Sequence, residues 1–325
     1  MAKDHRVSMR EVSRLSGVST ATVSRVIHKS GRFSPETEQR VREVMERLKY
    51  VPDVVAQGMR KRSMPIVGII VPDIMDENYA LMVRTLQHEL YANGYSVSIF
   101  NTNEDSDLAS HFIGMLKTQR ASGLVYVPDR NGGDVDPEGL PLVYFDRRPQ
   151  GTAPDCSVIV ECENFEGARR AVARLAAGGR RSIALLSEEK EYSPHRERIA
   201  GYRKALQDAG LTPGPKFLVD SQRTTEAISA MQGAFDHGIP FDAIFCTSTR
   251  LTIGALTVLR GQGIPQETVE VLGFGEHRLH RYGLLPYLAI REPIPDMAVA
   301  AANALLKLMN GETPEQAIVS LPLGE

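Results

Sequence analysis

The feature that most limits the fold of this chain is a regular alternation of short apolar runs with helical patterns from Met64 onwards. The run IVGIIV (66–71) fits a buried strand, a helical pattern follows at about 79–92, and YSVSIF (95–100) fits the next strand. Strands that alternate with helices in this way predict parallel sheets with right-handed crossovers. Further strands are predicted at 124–127, 142–145, 157–160, 183–186, 217–219, 243–246, 269–272 and 287–290, and further helices at 107–119, 164–178, 196–209, 224–237, 251–261 and 295–309.

Length and composition are those of an ordinary globular protein with two or three domains. The chain has 325 residues, and its 42% hydrophobic and 24% charged residues exclude a disordered, collagen-like or coiled-coil protein. No apolar run approaches the ~20 residues that cross a bilayer, and the first residues lack the apolar segment of a secretory signal. The three cysteines fit no metal-ligand spacing. We therefore expect a cytoplasmic protein with reduced thiols, no membrane contact, no metal and no cofactor.

Charge is distributed unevenly along the chain. Residues 1–62 contain 14 Lys and Arg against 7 Asp and Glu, whereas the rest of the chain contains 24 basic and 33 acidic residues. A basic N-terminal segment on an acidic remainder predicts a polyanionic partner for that segment alone.

The basic segment has the pattern of a helix-turn-helix. Ser8 is a candidate N-cap for a helix from Met9 to about Ser16, and Gly17 can end that helix in a left-handed conformation. Ser19 can cap a second helix that runs to about His28, and a third helix follows Ser34-Pro35. Small or polar side chains face outward on the second helix, which favours entry into a DNA major groove. The alternative is a small three-helix bundle with a solvated face.

The stretch MREVSRLSGVSTATVSRVIHKSGRFSPETEQRVREVMERLKYVPDVVAQGM resembles the DNA-binding segment of the lactose-repressor (LacI/GalR) family of bacterial transcription regulators, and GVSTATVSRVI is highly specific to that family. The weaker resemblance of the remainder extends to the C-terminus. It implies a homodimeric repressor that binds double-stranded operator DNA under the control of a small-molecule effector, which would be a sugar, sugar acid or sugar phosphate. The alternative is a sugar-binding protein without a role on DNA.

The resemblance also implies roles for individual residues. Thr20 and Ala21 match positions that read bases, Arg25 matches a further base contact, and Met59 matches a residue that wedges between base pairs in the minor groove. The alternative for Met59 is a buried linker residue. Asp53 and Gly58 depart from the family pattern of the hinge helix, so we expect that helix to depend strongly on DNA. The predicted DNA-binding residues are Ser8, Ser19, Thr20, Ala21, Thr22, Ser24, Arg25, His28, Asp53, Ala56, Met59 and Arg60.

The expected architecture is an N-terminal helix-turn-helix three-helix domain and a hinge helix, followed by a periplasmic-binding-protein-like type I core. This α/β core would consist of two doubly wound parallel-sheet subdomains. The predicted boundaries are 1–50 for the DNA-binding domain, 51–63 for hinge helix and linker, and 64–325 for the effector-binding and dimerisation domain. Within that domain, 64–160 with 291–316 would form the first subdomain, and 161–290 with 317–325 the second.

Ligands of doubly wound sheets bind beyond the carboxyl ends of the strands. Asp146 matches a hydroxyl acceptor of the family, Arg198 a ligand-clamping arginine, and Tyr79 an aromatic residue that packs on the ligand. Two alternatives stay open: an ion pair of Asp146 with Arg147 between the subdomains, and a surface position for Arg198. The predicted effector-binding residues are Tyr79, Asp146, Arg147, Arg198, Gln222, Ser248 and Glu276.

Departures from the family pattern point to the charge of the ligand. Ser248-Thr249 replaces an Asn-Asp pair, and Gly275, followed by Glu276, replaces an Asp. With the basic residues nearby, these losses predict an arginine-rich cleft that favours an anionic effector through charge-assisted hydrogen bonds. The residues around Ser248 and Glu276 are also similar to the fructose and sucrose repressor branch of the family. The basic candidates are Arg147, Arg148, Arg196, Arg198, Arg223, Arg250 and Arg278.

Motifs that would favour an enzyme are missing from the sequence. There is no phosphate-binding G-x-x-x-x-G-K-S/T, no G-x-G-x-x-G after a strand, no H-E-x-x-H and no G-x-S-x-G. We therefore predict no catalytic residues.

Overall fold

The structure is a computed structural model that describes residues 8–27, 31–48, 50, 64–130, 137, 139–154, 156–189, 192–221 and 223–323. The chain divides into two compact units, Met1–Met64 (the head) and Pro65–Glu325 (the body). The predicted hinge segment 51–63 lies outside the described residues. The same holds for the predicted site residues His28, Asp53, Ala56, Met59, Arg60 and Gln222.

The described part of the head contains three short helices around a small apolar core. Gly17 ends the first helix in the left-handed conformation (φ 69°), and Ser34 Oγ accepts a hydrogen bond of 3.2 Å from Thr37 N at the start of the third. Ser8 departs from the prediction, because its side chain makes no capping bond and its carbonyl oxygen accepts from Glu11 N instead. The helices are α1 (Met9–Ser16), α2 (Thr20–Ile27) and α3 (Pro35–Arg47), and their buried apolar residues are Val12, Val23, Val26, Val41, Val44 and Tyr50.

The body is built on two parallel sheets with helices on their faces. The first sheet has six strands in the order β11-β5-β4-β3-β1-β2, and the second has five in the order β10-β9-β8-β6-β7. The strands are β1 (Met64–Val71), β2 (Ser96–Asn101), β3 (Ala121–Tyr126), β4 (Leu142–Phe145), β5 (Ser157–Cys162), β6 (Ile183–Glu188), β7 (Lys216–Val219), β8 (Ala243–Cys246), β9 (Glu270–Phe274), β10 (Leu288–Ile290) and β11 (Ile318–Leu321). The helices are α4 (Glu77–Ala92), α5 (Ser106–Thr118), α6 (Asn164–Ala177), α7 (Ser193–Asp208), α8 (Thr224–Asp236), α9 (Thr249–Gly261), α10 (Arg278–Arg281) and α11 (Ile294–Met309).

The α/β class and the two doubly wound parallel sheets agree with the prediction. The strands are fully buried where helices cover both faces, which explains their continuous apolar sequences. Among the described residues, every helix is too short or too polar to cross a membrane.

The C-terminal strand departs from the predicted subdomain boundaries. Strand β11 pairs in parallel with β5, with Ile318 opposite Ile159, so residues 318–321 belong to the first sheet and not to the second subdomain. A short strand at the end of a chain carries little hydrophobic pattern, and its partner is set by distant residues. Strand β5 also continues to Cys162, two residues beyond the predicted end of the first subdomain.

Helices α6 and α7 pack with their backbones in close approach. A Cβ atom added to Gly201 of α7 would lie 2.3 Å from Phe165 O and 2.9 Å from Arg169 N of α6. Backbone atoms cannot rotate away as a side chain can, so this contact requires glycine.

Replacing Gly201 with Ala is expected to lower the free energy of unfolding of the body by about 1–3 kcal/mol, because the added methyl group forces the two helices apart. The control is Gly233→Ala in α8, where no atom lies within 4 Å of the added Cβ. Alanine there raises stability by up to about 1 kcal/mol through its helix propensity. Urea unfolding followed by circular dichroism measures both, and equal stability of the two variants would contradict the close approach.

Candidate functional site

Helix α2 presents a polar outer surface that its own cap and core hold in place. Ser19 Oγ accepts a hydrogen bond of 3.1 Å from Thr22 N, which confirms the predicted cap. Val23 and Val26 are buried against the other helices of the head. The opposite surface carries exposed Thr20, Ala21 and Arg25 and half-buried Thr22 and Ser24.

The Arg25 side chain is available to an external partner. Its guanidinium makes no hydrogen bond or ion pair within the described residues. Its aliphatic part runs past Gly31, where an added Cβ would lie 3.2 Å from Arg25 Cδ. Gly31 also has a φ of 78°, a conformation that favours glycine. The arrangement leaves one cation and several small side chains on a surface that fits a DNA groove.

The body contains a cavity of about 210 Å³ at the carboxyl ends of strands from both sheets. This volume suits a small metabolite, since pockets for drug-sized ligands span roughly 300–1,000 Å³. Five of the predicted effector residues line it. The lining consists of Pro72, Asp73, Asp76, Asn78, Tyr79, Asn103, Glu104, Arg130, Asp146, Arg147, Tyr192, Pro194, Arg198, Ser221, Arg223, Ser248, Thr249, Arg250, Phe274, Glu292 and Ile294.

Arg147 is buried and held by Glu104. Its NH1 and NH2 atoms donate to the two Glu104 carboxylate oxygens at 3.0–3.1 Å, and NH1 also donates to Pro128 O at 3.0 Å. The guanidinium stacks on the Tyr192 ring, 4.2 Å from its centroid. The partner of Arg147 is therefore Glu104, and the alternative of an ion pair with Asp146 is wrong.

Arg198 is also buried, with 5% of its surface exposed, so the alternative of a surface cation is wrong. Its Nε donates to Asn164 Oδ1 at 2.8 Å, NH1 to Thr247 O at 2.9 Å and NH2 to Glu292 Oε1 at 2.6 Å. The guanidinium lies 3.6 Å from the centroid of the Phe274 ring. These contacts fix the guanidinium from several sides, as positioning of a ligand requires.

Two more arginines join the first sheet to the second across the cavity. Arg130 follows β3 of the first sheet, and its NH1 atom donates to Glu188 at the end of β6 in the second sheet. Arg250, at the start of α9, donates to Asp73 Oδ2 at 2.7 Å in the loop after β1. The fully buried Glu188 has a pKa that burial raises above its usual value, and Arg130 opposes that rise.

Asp146 differs from the other carboxylates of the described lining because one of its oxygens is buried without a hydrogen-bond partner. It has a φ of 66°, which is rare for residues other than glycine and is found at functional sites. Tyr79 OH donates to Asp146 Oδ2 at 3.2 Å, whereas Asp146 Oδ1 is buried and has no hydrogen-bond partner. A buried acceptor without a donor is costly, so this oxygen is suited to accept a hydrogen bond from a ligand.

The predicted surplus of positive charge is absent from the described lining, which contains five arginines and five carboxylates. Four of these arginines contact carboxylates of the protein itself, and Arg223 is exposed. The number of arginines in the sequence was misleading because the carboxylates that pair with them could not be identified from the sequence. The described lining therefore does not favour an anionic effector.

Glu276 is not part of the cavity lining, contrary to the prediction. Its carboxylate accepts hydrogen bonds from Arg291 Nε at 3.1 Å and Arg281 Nε at 3.2 Å. Just before Glu276 the chain turns at Gly275, whose φ is 94°. Four carboxylates of the lining were not among the predicted site residues: Asp73, Asp76, Glu104 and Glu292. Glu104 and Glu292 each follow a strand end by two or three residues, so the rule applied to the other loops could have found them.

Comparisons with known proteins agree on one family. Residues 64–282 match the family of periplasmic binding proteins and the sugar binding domain of the LacI family, and residues 8–53 match the bacterial regulatory proteins of the lacI family. Catabolite control protein A of Priestia megaterium is 28% identical over 97% of this chain and 96% of its own length.

Two solved structures resemble the whole chain. The transcriptional regulator CelR in complex with cellobiose is 26% identical, with a TM-score of 0.71 over 98% of both chains. The Lac repressor dimer bound to operator and an anti-inducer is 23% identical, with a TM-score of 0.83 over 98% of this chain and 97% of the repressor. At 23% identity, the similarity to the Lac repressor establishes only that the two proteins share a fold.

The stability of the body is expected to fall below pH 6.5 because of His195. Burial, and then the charges of Arg198, Arg147 and Arg130, hold the pKa of His195 well below its usual value, so this histidine stays neutral in the folded protein. Below a pH of about 6.5 the unfolded chain binds a proton that the folded chain does not, and acidification therefore favours unfolding.

Between pH 7.5 and pH 5.5, the native protein is expected to lose about 1 kcal/mol more stability than a His195→Gln variant. Urea unfolding at each pH measures the difference. Parallel pH profiles for the two proteins would show that His195 is not held neutral.

Proposed function

We propose that this chain, which belongs to the lacI family of bacterial regulatory proteins, represses transcription by binding an operator as a homodimer. A hydroxyl-rich metabolite in the cavity would control this binding. Its relatives are transcription regulators and not enzymes. The observation that carries the proposal is the outer surface of α2, where Thr20, Ala21 and Arg25 are exposed. The helix is capped at its start, and its opposite face is buried in the core of the head. Because its partner is chromosomal DNA, the protein would act in the cytoplasm.

The DNA interface would use direct readout in the major groove. The small residues Thr20 and Ala21 let α2 approach the base edges, and Arg25 has the fork geometry that pairs with a guanine. One head covers too little DNA for tight binding, so two heads on one dimer would read the half-sites of a pseudo-palindrome. Asp53, Ala56, Met59 and Arg60 would form the hinge helix, with Met59 as the minor-groove wedge.

The cavity favours an uncharged, polyhydroxylated effector. Asp146 Oδ1 is a buried acceptor and Arg147 Nε a buried donor without a hydrogen-bond partner, and both residues line the cavity. A sugar hydroxyl can donate to the first and accept from the second. The CelR complex with cellobiose supports a sugar as ligand of such a cavity. Sugar acids and sugar phosphates are the alternatives that the assay below separates.

The test is selection of bound DNA from a random pool, repeated with a panel of neutral, acidic and phosphorylated sugars. We expect one pseudo-palindromic sequence to be enriched. We also expect a neutral sugar to change how much of that DNA the protein retains. A protein that binds a sugar but enriches no sequence would be the sugar-binding protein without a role on DNA.

Replacing Arg25 with Ala is expected to reduce discrimination between operator and random DNA by about 1–3 kcal/mol, because one bidentate base contact is lost. The control is Arg42→Ala on α3, whose guanidinium pairs with Glu38 at 2.8 Å and should leave discrimination unchanged. Fluorescence anisotropy with both DNAs measures the four affinities. Unchanged discrimination in the Arg25 variant would remove the base-reading role.

Replacing Asp146 with Asn is expected to weaken effector binding by about 1–1.5 kcal/mol, because an acceptor oxygen is lost while asparagine tolerates the positive φ. Glu276→Gln is the matched control, since it makes the same chemical change outside the cavity lining. Calorimetric titration of the effector found in the screen compares the two. Equal losses in both variants would argue against direct contact with Asp146.

A further inference from the structure

The Arg198–Glu292 pair is the most deeply buried ion pair of the cavity wall. The two side chains are 6% and 7% exposed, and NH2 lies 2.6 Å from Glu292 Oε1. The second oxygen, Oε2, accepts a hydrogen bond of 2.7 Å from Asn78 Nδ2. Both carboxylate oxygens are therefore engaged, and the negative charge is fixed against the guanidinium that would hold a ligand.

Glu292 also takes up space that position 275 leaves open. Gly275 has a φ of 94°, and a Cβ there would lie 2.1 Å from Thr249 Oγ1 and 3.2 Å from Glu292 Oε2. The sequence lacks an acidic side chain at 275, and that absence predicted a less acidic cleft. The structure brings a carboxylate to the same place from the segment after β10, so the acidity of the cleft is retained.

Other carboxylates surround this one. Asp146 and Asp76 lie close enough to raise the pKa of Glu292 further, after burial as the main cause, while Arg198 lowers it. An anionic ligand group placed on Arg198 would meet the carboxylates of Glu292 and Asp146, and also that of Asp76, which pairs with Arg250 at 3.6 Å. Charge repulsion of this kind is a recognised way to reject a wrong partner.

We propose that Glu292 is the residue that sets the charge class of the effector: as the internal counter-ion of Arg198, it makes the cavity accept uncharged polyhydroxylated ligands and reject anions. The inference rests on the proposed function of the cavity as effector site. It assigns to one residue the exclusion of phosphorylated and acidic sugars.

The test uses inorganic phosphate and gluconate as probes on the full-length protein, so it does not require the natural effector. In Glu292→Gln, the size of the side chain is kept and its charge is removed. The amide oxygen can still accept from Arg198, whereas Asn78 must turn its amide so that Oδ1 accepts from the new NH2 group. This variant is expected to bind at least one of the two anions saturably, and at least about tenfold more tightly than the native protein does. Calorimetry gives the affinities, and a Glu292→Gln/Arg198→Ala double variant should lose the gained site.

Glu161→Gln is the matched control. Glu161 is a buried carboxylate that accepts from Arg148 Nε at 2.7 Å, and neither residue lines the cavity. This variant should not gain anion binding, even if it loses stability. If Glu292→Gln folds poorly, Glu292→Asp provides the second comparison, since it keeps the charge and should still reject both anions.

The proposal is overturned if the native protein already binds either anion in the cavity, if Glu292→Gln gains no affinity, or if Glu292→Asp admits anions. A purely structural role would lower the stability of Glu292→Gln and leave its selectivity for charge unchanged. Operator binding by the same preparations is measured separately by anisotropy. Loss of the proposed regulatory function would show there, whereas failure of this inference would show only in the anion titrations.

Discussion

Buried arginines that need counter-charges from the protein itself determine how the body is built around its cavity. An ion removed from water loses several kcal/mol of hydration, which only a partner with good geometry restores. Arg147 meets Glu104, Arg198 meets Glu292, and Arg250 meets Asp73. Because the members of each pair come from separate loops or helices, the pairs also fix the segments that form the wall.

The pairs that cross the cavity connect ligand binding to the position of the two sheets. Arg250 with Asp73 and Arg130 with Glu188 join strand ends of the first sheet to the second. A ligand between these ends would compete with the pairs or strengthen them, and would thus shift the arrangement of the sheets. Strand β1 ends at the loop that carries Asp73 and begins at Met64, directly after the linker segment. This one strand therefore connects the cavity wall to the segment that leads to the head.

Much of the fold could be predicted from the sequence because its signals are local. Apolar runs, and the Gly or Asn residues that end helices, predicted most strands and helices of the body. In the head, Ser19, Gly17 and Ser34-Pro35 predicted where helices begin or end. The positions of Tyr79, Asp146, Arg147, Arg198 and Ser248 on the cavity wall followed from the strand ends and the family resemblance. Their roles in ligand binding remain predictions.

What the sequence could not predict depends on contacts between distant residues. Strand β11 is recognisable only by its pairing with β5, and the charge of the cavity depends on partners 43 and 94 positions away for Arg147 and Arg198. Counting arginines without Glu104 and Glu292 predicted a surplus of positive charge that the described lining does not have. Glu276 was predicted to line the cavity for a similar reason. Arg281 and Arg291 bind its carboxylate outside the cavity lining, and neither arginine belongs to the motif that suggested Glu276.

The most direct test of the account is whether the two binding sites are thermodynamically linked. Effector affinity should be measured by calorimetry for the free protein and for its complex with operator DNA. Coupling through the body predicts two affinities that differ by about 5- to 150-fold, by the same factor by which saturating effector changes operator affinity. Identical effector affinities in the presence and absence of operator would contradict the control of the head by the cavity.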